Sequence, residues 1–172
     1  MRLRGLIAAG VAIVAACAGA GEQYPASFAM LEQAEVRAET ASGGHRFKVW
    51  IAADDASRQQ GLMFVRRLPA DRGMLFVFDQ PQQAAFWMKD TYLSLDLVFI
   101  DPAGEVANIA ANAKPESLDP IFSRGPVIAV LEVTAGTARR IQLATGDPVR
   151  LPTLRTTSQA LPSREGPAPR HN

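Results

Sequence analysis

The sequence predicts a mainly β domain with two short helices, its strands forming a small antiparallel, barrel-like sheet. Three observations carry this. The apolar runs are short, and several alternate apolar with polar residues. Thirteen Gly and twelve Pro are spread between those runs as turn signals. Only two stretches read as helices, against about seven or eight short strands. With 172 residues and 48% apolar composition, the chain is long enough for one domain with its own core.

Glu35-Val36-Arg37-Ala38 reads as a short first strand, and Ser42-Gly43-Gly44 breaks the chain after it. His45 to Ala53 follows with Phe47, Val49 and Ile51 on one face, so the two strands form a hairpin. Asp54-Asp55 supplies a helix N-cap, and the helix is expected over Ala56 to about Val65. Met74 to Phe78 is apolar on both faces, as a central strand requires. Asp79-Gln80-Pro81-Gln82 is expected to turn the chain into another strand, Ala84 to Met88, with Phe86 and Met88 opposite Trp87 and Lys89. Leu95 to Ile100 and Glu105 to Ala110 flank Asp101-Pro102-Ala103-Gly104, the clearest hairpin in the chain. Asn112 to Pro126 reads as a long loop, either a lid or a plain connector. Val127 to Thr134 is a doubly buried strand, in which Glu132 is out of place. A helix over Thr137 to Leu143 and a last strand, Val149 to Leu151, complete the fold.

The two ends read differently from this middle. Met1-Arg2-Leu3-Arg4 is basic and Leu6 to Ala16 is an eleven-residue apolar run, too short to span a bilayer and suited to a signal segment. Two exits compete. Ala18-Gly19-Ala20 fits a small-residue cleavage site, making residues 1–20 a signal peptide. Val14-Ala15-Ala16-Cys17 instead resembles a bacterial lipobox, which would remove residues 1–16 and lipidate Cys17. Either exit makes the protein exported, as a periplasmic protein or a membrane-anchored lipoprotein. Cys17 is the only cysteine, so the mature fold has no disulfide. Residues 21–34 are expected to be a spacer with a short turn of helix, 35–152 the single globular domain, and 153–172 a disordered tail.

Charge narrows the partners. Residues 21–152 hold sixteen acids and thirteen Lys/Arg, a net of −3, with no basic stripe for nucleic acid. Membrane contact is expected only through a lipid anchor, and a monomer is expected. No phosphate-binding Gly loop, nucleophile elbow or mature Cys is present, and His45 has no evident Ser partner. No cofactor is expected. A zinc site lacks ligands, since His45 stands alone in the folded part.

The blocks Gly61-Leu62-Met63-Phe64, Gly73-Met74-Leu75-Phe76-Val77-Phe78, Phe86-Trp87-Met88-Lys89-Asp90-Thr91, Leu95-Asp96, Val130 to Gly136 and Gly146-Asp147 come in an order and spacing that resemble the bacterial and archaeal family called domain of unknown function 192. The resemblance covers roughly residues 35–151. It implies a small mainly β fold, often exported, and brings no activity, cofactor or catalytic residue. Arg58, Arg66 and Lys89 match the family's pattern, whereas Asp90 stands where the family usually has Asn, and Ser94 where it has Pro.

Lys89, Asp96 and Glu132 lie inside apolar runs, and an unpaired buried charge costs several kcal/mol. They are therefore either structural ion pairs, Lys89 or Arg66 with Glu132 or Asp96, or the floor of a cleft walled by Trp87. The cleft reading makes Trp87, Lys89, Asp90, Asp96, Glu132, Arg66 and Arg58 the ligand-binding set of a non-catalytic envelope domain that takes a glycan or other small molecule. One alternative is a hydrolase of envelope saccharide with Asp96 and Glu132 as its two carboxylates, which would have to face each other across the bond. The other is a copper binder using the thioethers of Met63, Met74 and Met88, although Met is a common filler of cores.

Overall fold

The sheet begins with the expected hairpin. In the computed structural model, which describes residues 24–153, β1 (Gln33–Thr40) pairs antiparallel with β2 (Gly43–Ala52). Thr40 lies opposite Gly43, so the turn is Ala41-Ser42, one residue earlier than the Gly-Gly break suggests. Gly43 adopts φ +112°, which a side chain would resist.

Helix α1 (Asp55–Gln60) starts where expected. The Asp54 carboxylate accepts from the Ser57 N–H at 2.8 Å, and the Asp54 N–H donates to the Ser57 hydroxyl, a reciprocal capping box. It ends earlier than Val65 because Gly61 takes φ +47° and its N–H closes on the Ser57 carbonyl. Leu62 and Val65 are nonetheless buried, packed from the turns that follow.

Two expected strands prove to be one. β3 (Arg72–Phe86) continues through Asp79-Gln80-Pro81. Val77 pairs with Ala129 and Gln82 with Val127, so residues 78–81 bulge against a single residue of the partner. A bulge tolerates Pro81, which has no N–H to give the ladder. β4 (Leu95–Ile100) and β5 (Val106–Ala113) form the Asp-Pro-Ala-Gly hairpin, where the Asp101 carboxylate accepts from the N–H groups of Ala103 and Glu105 at 2.9 and 3.0 Å. β6 (Ile121–Thr134) absorbs the end of the expected loop. Helix α2 (Thr137–Arg140) is shorter than Thr137 to Leu143, and β7 (Val149–Arg150) completes the set.

The strand order is β5-β4-β6-β3-β2-β1-β7, one curled half-barrel of seven strands. Neighbours are antiparallel except β2 and β3, which run parallel because α1 carries the chain across between them. The curl brings the sheet's two ends together at one rim. There the Val106 N–H donates to the Asp147 carbonyl (3.0 Å) and the Val149 N–H to that of Gly104 (2.7 Å).

Burial follows on both faces. The enclosed face gathers Val36, Val49, Leu75, Val98, Leu131 and Val149 with Ala138 of α2. The opposite face, with Trp50, Met74, Phe76, Leu97 and Phe99, is covered by Phe28, Leu62, Val65 and Met88. Phe28 belongs to a short 3-10 turn (Ala26–Met30), and its ring lies 5.0 Å from that of Trp50. The stretch expected as a spacer thus supplies a core residue.

β3 and β6 lie side by side within this sheet, and Gly73 sits against the β6 backbone. A Cβ there would collide with the Glu132 carbonyl and press on Val133. Gly73→Ala should therefore cost about 2–3 kcal/mol by overpacking. Urea denaturation would read this as a lower midpoint at unchanged slope.

Candidate functional site

Glu132 and Asp96 are both acids in doubly buried strands, and the sheet sends them to opposite faces. Asp96 lies in register with Val98 and Ile100 on the enclosed face, while Glu132 lies with Val130 on the covered one, opposite Met74 and Leu97. They cannot flank one bond. The paired-carboxylate arrangement is corrected on this geometry.

Asp96 is fully buried and fully used. One oxygen accepts from the N–H groups of Asn112 (2.9 Å) and Gly136 (3.1 Å), the other from Ala138 (2.9 Å). It ties the end of β5 to the start of α2, whose first N–H groups have no cap of their own. This is a structural brace, not a ligand group.

Glu132 is the opposite case. It is 4% exposed, and among the described residues no hydrogen bond or ion pair reaches its carboxyl. Burial alone pushes its pKa from 4.5 up to about 8, so the acid is neutral at pH 7. It contributes to the floor of a cavity of about 380 Å³, at the small end of the roughly 300–1,000 Å³ typical of ligand sites.

The cavity exists because of the bulge in β3. Residues 78–81 leave the ladder, and the gap is lined by Phe78, Gln82 and Gln83 beside Phe76 and Phe86. Across from them stand Arg58, Gln59 and Gln60 of α1. Trp87, 51% exposed, stands at the edge and also lines a shallower groove with Leu118 and Pro120. Thr91 is buried in the wall, its hydroxyl donating to the Lys89 carbonyl at 3.1 Å.

Of the residues expected to bind ligand, the cavity collects Arg58, Trp87 and Glu132. Arg58 is already committed, to the Asp55 carboxylate at 2.7 Å and to the carbonyls of Ala53 and Val77. Lys89 is exposed, its Nζ 5.6 Å above the Trp87 ring, and Arg66 lies 4.8 Å over Tyr92. Neither cation pairs with Glu132 or Asp96, so the structural ion pairs are corrected as well. Asp90 has φ +53° and its carbonyl accepts from the Phe64 N–H at 2.8 Å. Asn and Asp are the side chains that best tolerate that conformation, which accounts for Asp90 where the family usually shows Asn.

Met74 and Met88 fill the covered core, and Met63 lines the cavity. Among the described residues no group of three or more His, Cys, Asp or Glu could hold a metal ion. His45 does meet a serine, contrary to expectation: its Nε2 is 2.8 Å from the Ser42 hydroxyl. That hydroxyl also lies 2.7 Å from the Ile141 carbonyl, so the pair is a hairpin contact. Cys17 lies outside the described residues. The glutamines were missed in the sequence. Their signal was two Gln-Gln pairs, Gln59-Gln60 and Gln82-Gln83, either side of the apolar strand.

A small curled-sheet domain with an acid-floored cavity behind its central strands is the class these features define. The chain belongs to the DUF192 family, described as Uncharacterized ACR, which matches residues 36–151. A crystal structure from Sinorhizobium meliloti 1021, described as a "putative transcription regulator", is 43% identical with TM-score 0.68, covering 70% of this chain and 94% of that one. A protein of unknown function from Novosphingobium aromaticivorans is 37% identical with TM-score 0.71, covering 83% of this chain and all of its own. No curated protein matches.

The two acids should respond oppositely to amide substitution. Asp96→Asn places an N–H₂ against backbone donors and should cost about 2–4 kcal/mol in urea unfolding. Glu132 has a folded pKa of about 8 against an ordinary 4.5, so its burial costs stability once pH rises past the lower value, in full above the higher. Glu132→Gln should therefore match the parent near pH 4 and exceed it by about 2–4 kcal/mol at pH 9. Thermal melts across that range would show the two curves diverging.

Proposed function

We propose that this domain is a non-catalytic binding module of the cell envelope that holds a small glycan in the cavity above Glu132. One observation carries the reading: a cavity of about 380 Å³ combines aromatic walls, an amide rim and an unpartnered acid. Sugar rings present apolar C–H faces and a ring of hydroxyls. Phe86 and Trp87 suit the first, and Gln59, Gln60, Gln82, Gln83 and Glu132 suit the second. The groove beyond Trp87 offers room for a second sugar unit. A lone acid without a second carboxylate opposite favours binding over hydrolysis. The basic and apolar start of the chain supports export, with the glycan drawn from the envelope. The net acidic balance of residues 21–152 speaks for such a ligand rather than for nucleic acid.

Trp87 is the natural reporter, since Trp50, the other tryptophan, is sealed in the core. Titration with β1,4-linked N-acetylglucosamine oligomers and peptidoglycan disaccharides should shift Trp87 emission. Trp87→Ala should weaken binding by about tenfold, and its half-exposed side chain should leave stability within about 1 kcal/mol of the parent. A saccharide panel that leaves the emission untouched, or a Trp87→Ala variant that unfolds, would end the reading.

A further inference from the structure

Among the described residues, Glu132 is the buried polar side chain of the cavity that no hydrogen bond or ion pair engages. Burying such a group without a partner costs several kcal/mol, and Asp96 shows that this same sheet can satisfy an acid when it is structural. The cross-strand neighbours of Glu132 on β3 and β4 are Met74 and Leu97, which carry no charge. Among the described residues, Arg58 of α1 is the only other ionisable side chain lining the cavity, and its guanidinium is taken up by Asp55 and two carbonyls. Aromatic rings of Phe76, Phe78, Phe86 and Trp87 fill much of the remaining wall. Trp87 already carries the Lys89 ammonium, and the faces of the three Phe rings favour a cation for which the Glu132 carboxyl is a partner. Lys89, with its Nζ 5.6 Å over the Trp87 ring, stands at the edge and does not line the cavity, so an anionic ligand placed at Glu132 would meet no lining cation but the committed Arg58.

We propose that the cavity selects a saccharide bearing a free, protonated amino group, and that Glu132 receives that ammonium. This deepens the glycan reading and rests on it. In the empty site the acid holds its proton, because burial disfavours the charge. When the ammonium enters, the Glu132 O–H bond gives up its proton to solvent and the resulting carboxylate pairs with the nitrogen. No covalent bond to the sugar forms or breaks. Binding therefore releases one proton per site. An N-acetylated sugar has no charge to offer and leaves the proton in place.

Calorimetry on the intact protein tests this with two probes, the β1,4-linked glucosamine disaccharide and its di-N-acetylated form. At pH 7 the amino form should bind at least about tenfold more tightly. At pH 6, where the acid and the sugar amine are both protonated, heats measured in two buffers of different ionisation enthalpy should give close to one proton released for the amino form and none for the acetylated one. Between pH 5 and 6 the affinity for the amino form should rise about tenfold per unit, while that for the acetylated form stays flat. Glu132→Gln should abolish the preference and the proton release while still binding the acetylated sugar. Equal affinities, or a preference that survives Glu132→Gln, would overturn the ammonium proposal and leave the glycan reading standing. Failure of both sugars to bind, with Trp87 emission unmoved, would overturn the glycan reading and the proposal with it. The proton count comes from the parent protein, so the test holds whether or not the variant folds.

Discussion

Everything in this fold depends on the pairing of β3 with β6, two long strands at the middle of a sheet covered on both sides. Over Gly73–Phe76 and Ala129–Val133 neither strand has a solvent face. Each side chain must be apolar, or must find a polar partner inside the protein. Leu75, Phe76, Val130, Leu131 and Val133 meet the first condition. Gly73 meets a harsher one, since the β6 backbone leaves no room for a Cβ. Glu132 meets neither, which is why a sheet that otherwise needs only packing to explain it has a place where packing does not suffice.

The contrast with Asp96 sharpens the point. Both acids are buried within adjacent strands, and Asp96 lies diagonally near Glu132, opposite Val133. Yet Asp96 faces the enclosed side, where α2 begins and β5 ends, and three backbone N–H groups converge on it. Those donors satisfy both of its oxygens within the fold. Glu132 faces Met74, Leu97 and an aromatic hollow, where only the neutral acid is comfortable. One residue class in one sheet thus has two roles, set by which way the pleat points.

Much of this was legible in the residues. The two-sided apolar character of Met74 to Phe78, Leu95 to Ile100 and Val127 to Thr134 marked central strands, and the structure puts β3, β4 and β6 side by side. Asp54 announced a cap, and Asp101-Pro102-Ala103-Gly104 a hairpin, because those depend only on local chemistry. Glu132 stood out for the same reason, as an acid with no local excuse. What could not be read was pairing. Strand periodicity says that neighbours alternate in face, but whether Asp96 and Glu132 share one depends on the register of β4 against β6. Lys89 and Arg66 looked like partners for the acids because they are close in sequence to apolar runs. In space each lies over an aromatic ring at the surface. The parallel step from β2 to β3 was hidden too, since a six-residue helix is short for a crossover.

The largest misreading is also the most informative. Asp79-Gln80-Pro81-Gln82 has the composition of a turn, and by local chemistry alone it should have split β3 in two. The strand survives because its halves pair with one continuous β6, and the residues that would have turned the chain swell into a bulge instead. That bulge moves Phe78 off the ladder, beside Gln82 where pairing resumes, and opens the space into which Glu132 looks. A regular β3 would lay its side chains across β6 and close that space, leaving the acid in a dry core. A true turn would have removed the aromatic wall. The cavity needs the intermediate case, in which turn-forming residues are held inside a strand, and its existence follows from a conflict between local preference and tertiary pairing that pairing wins.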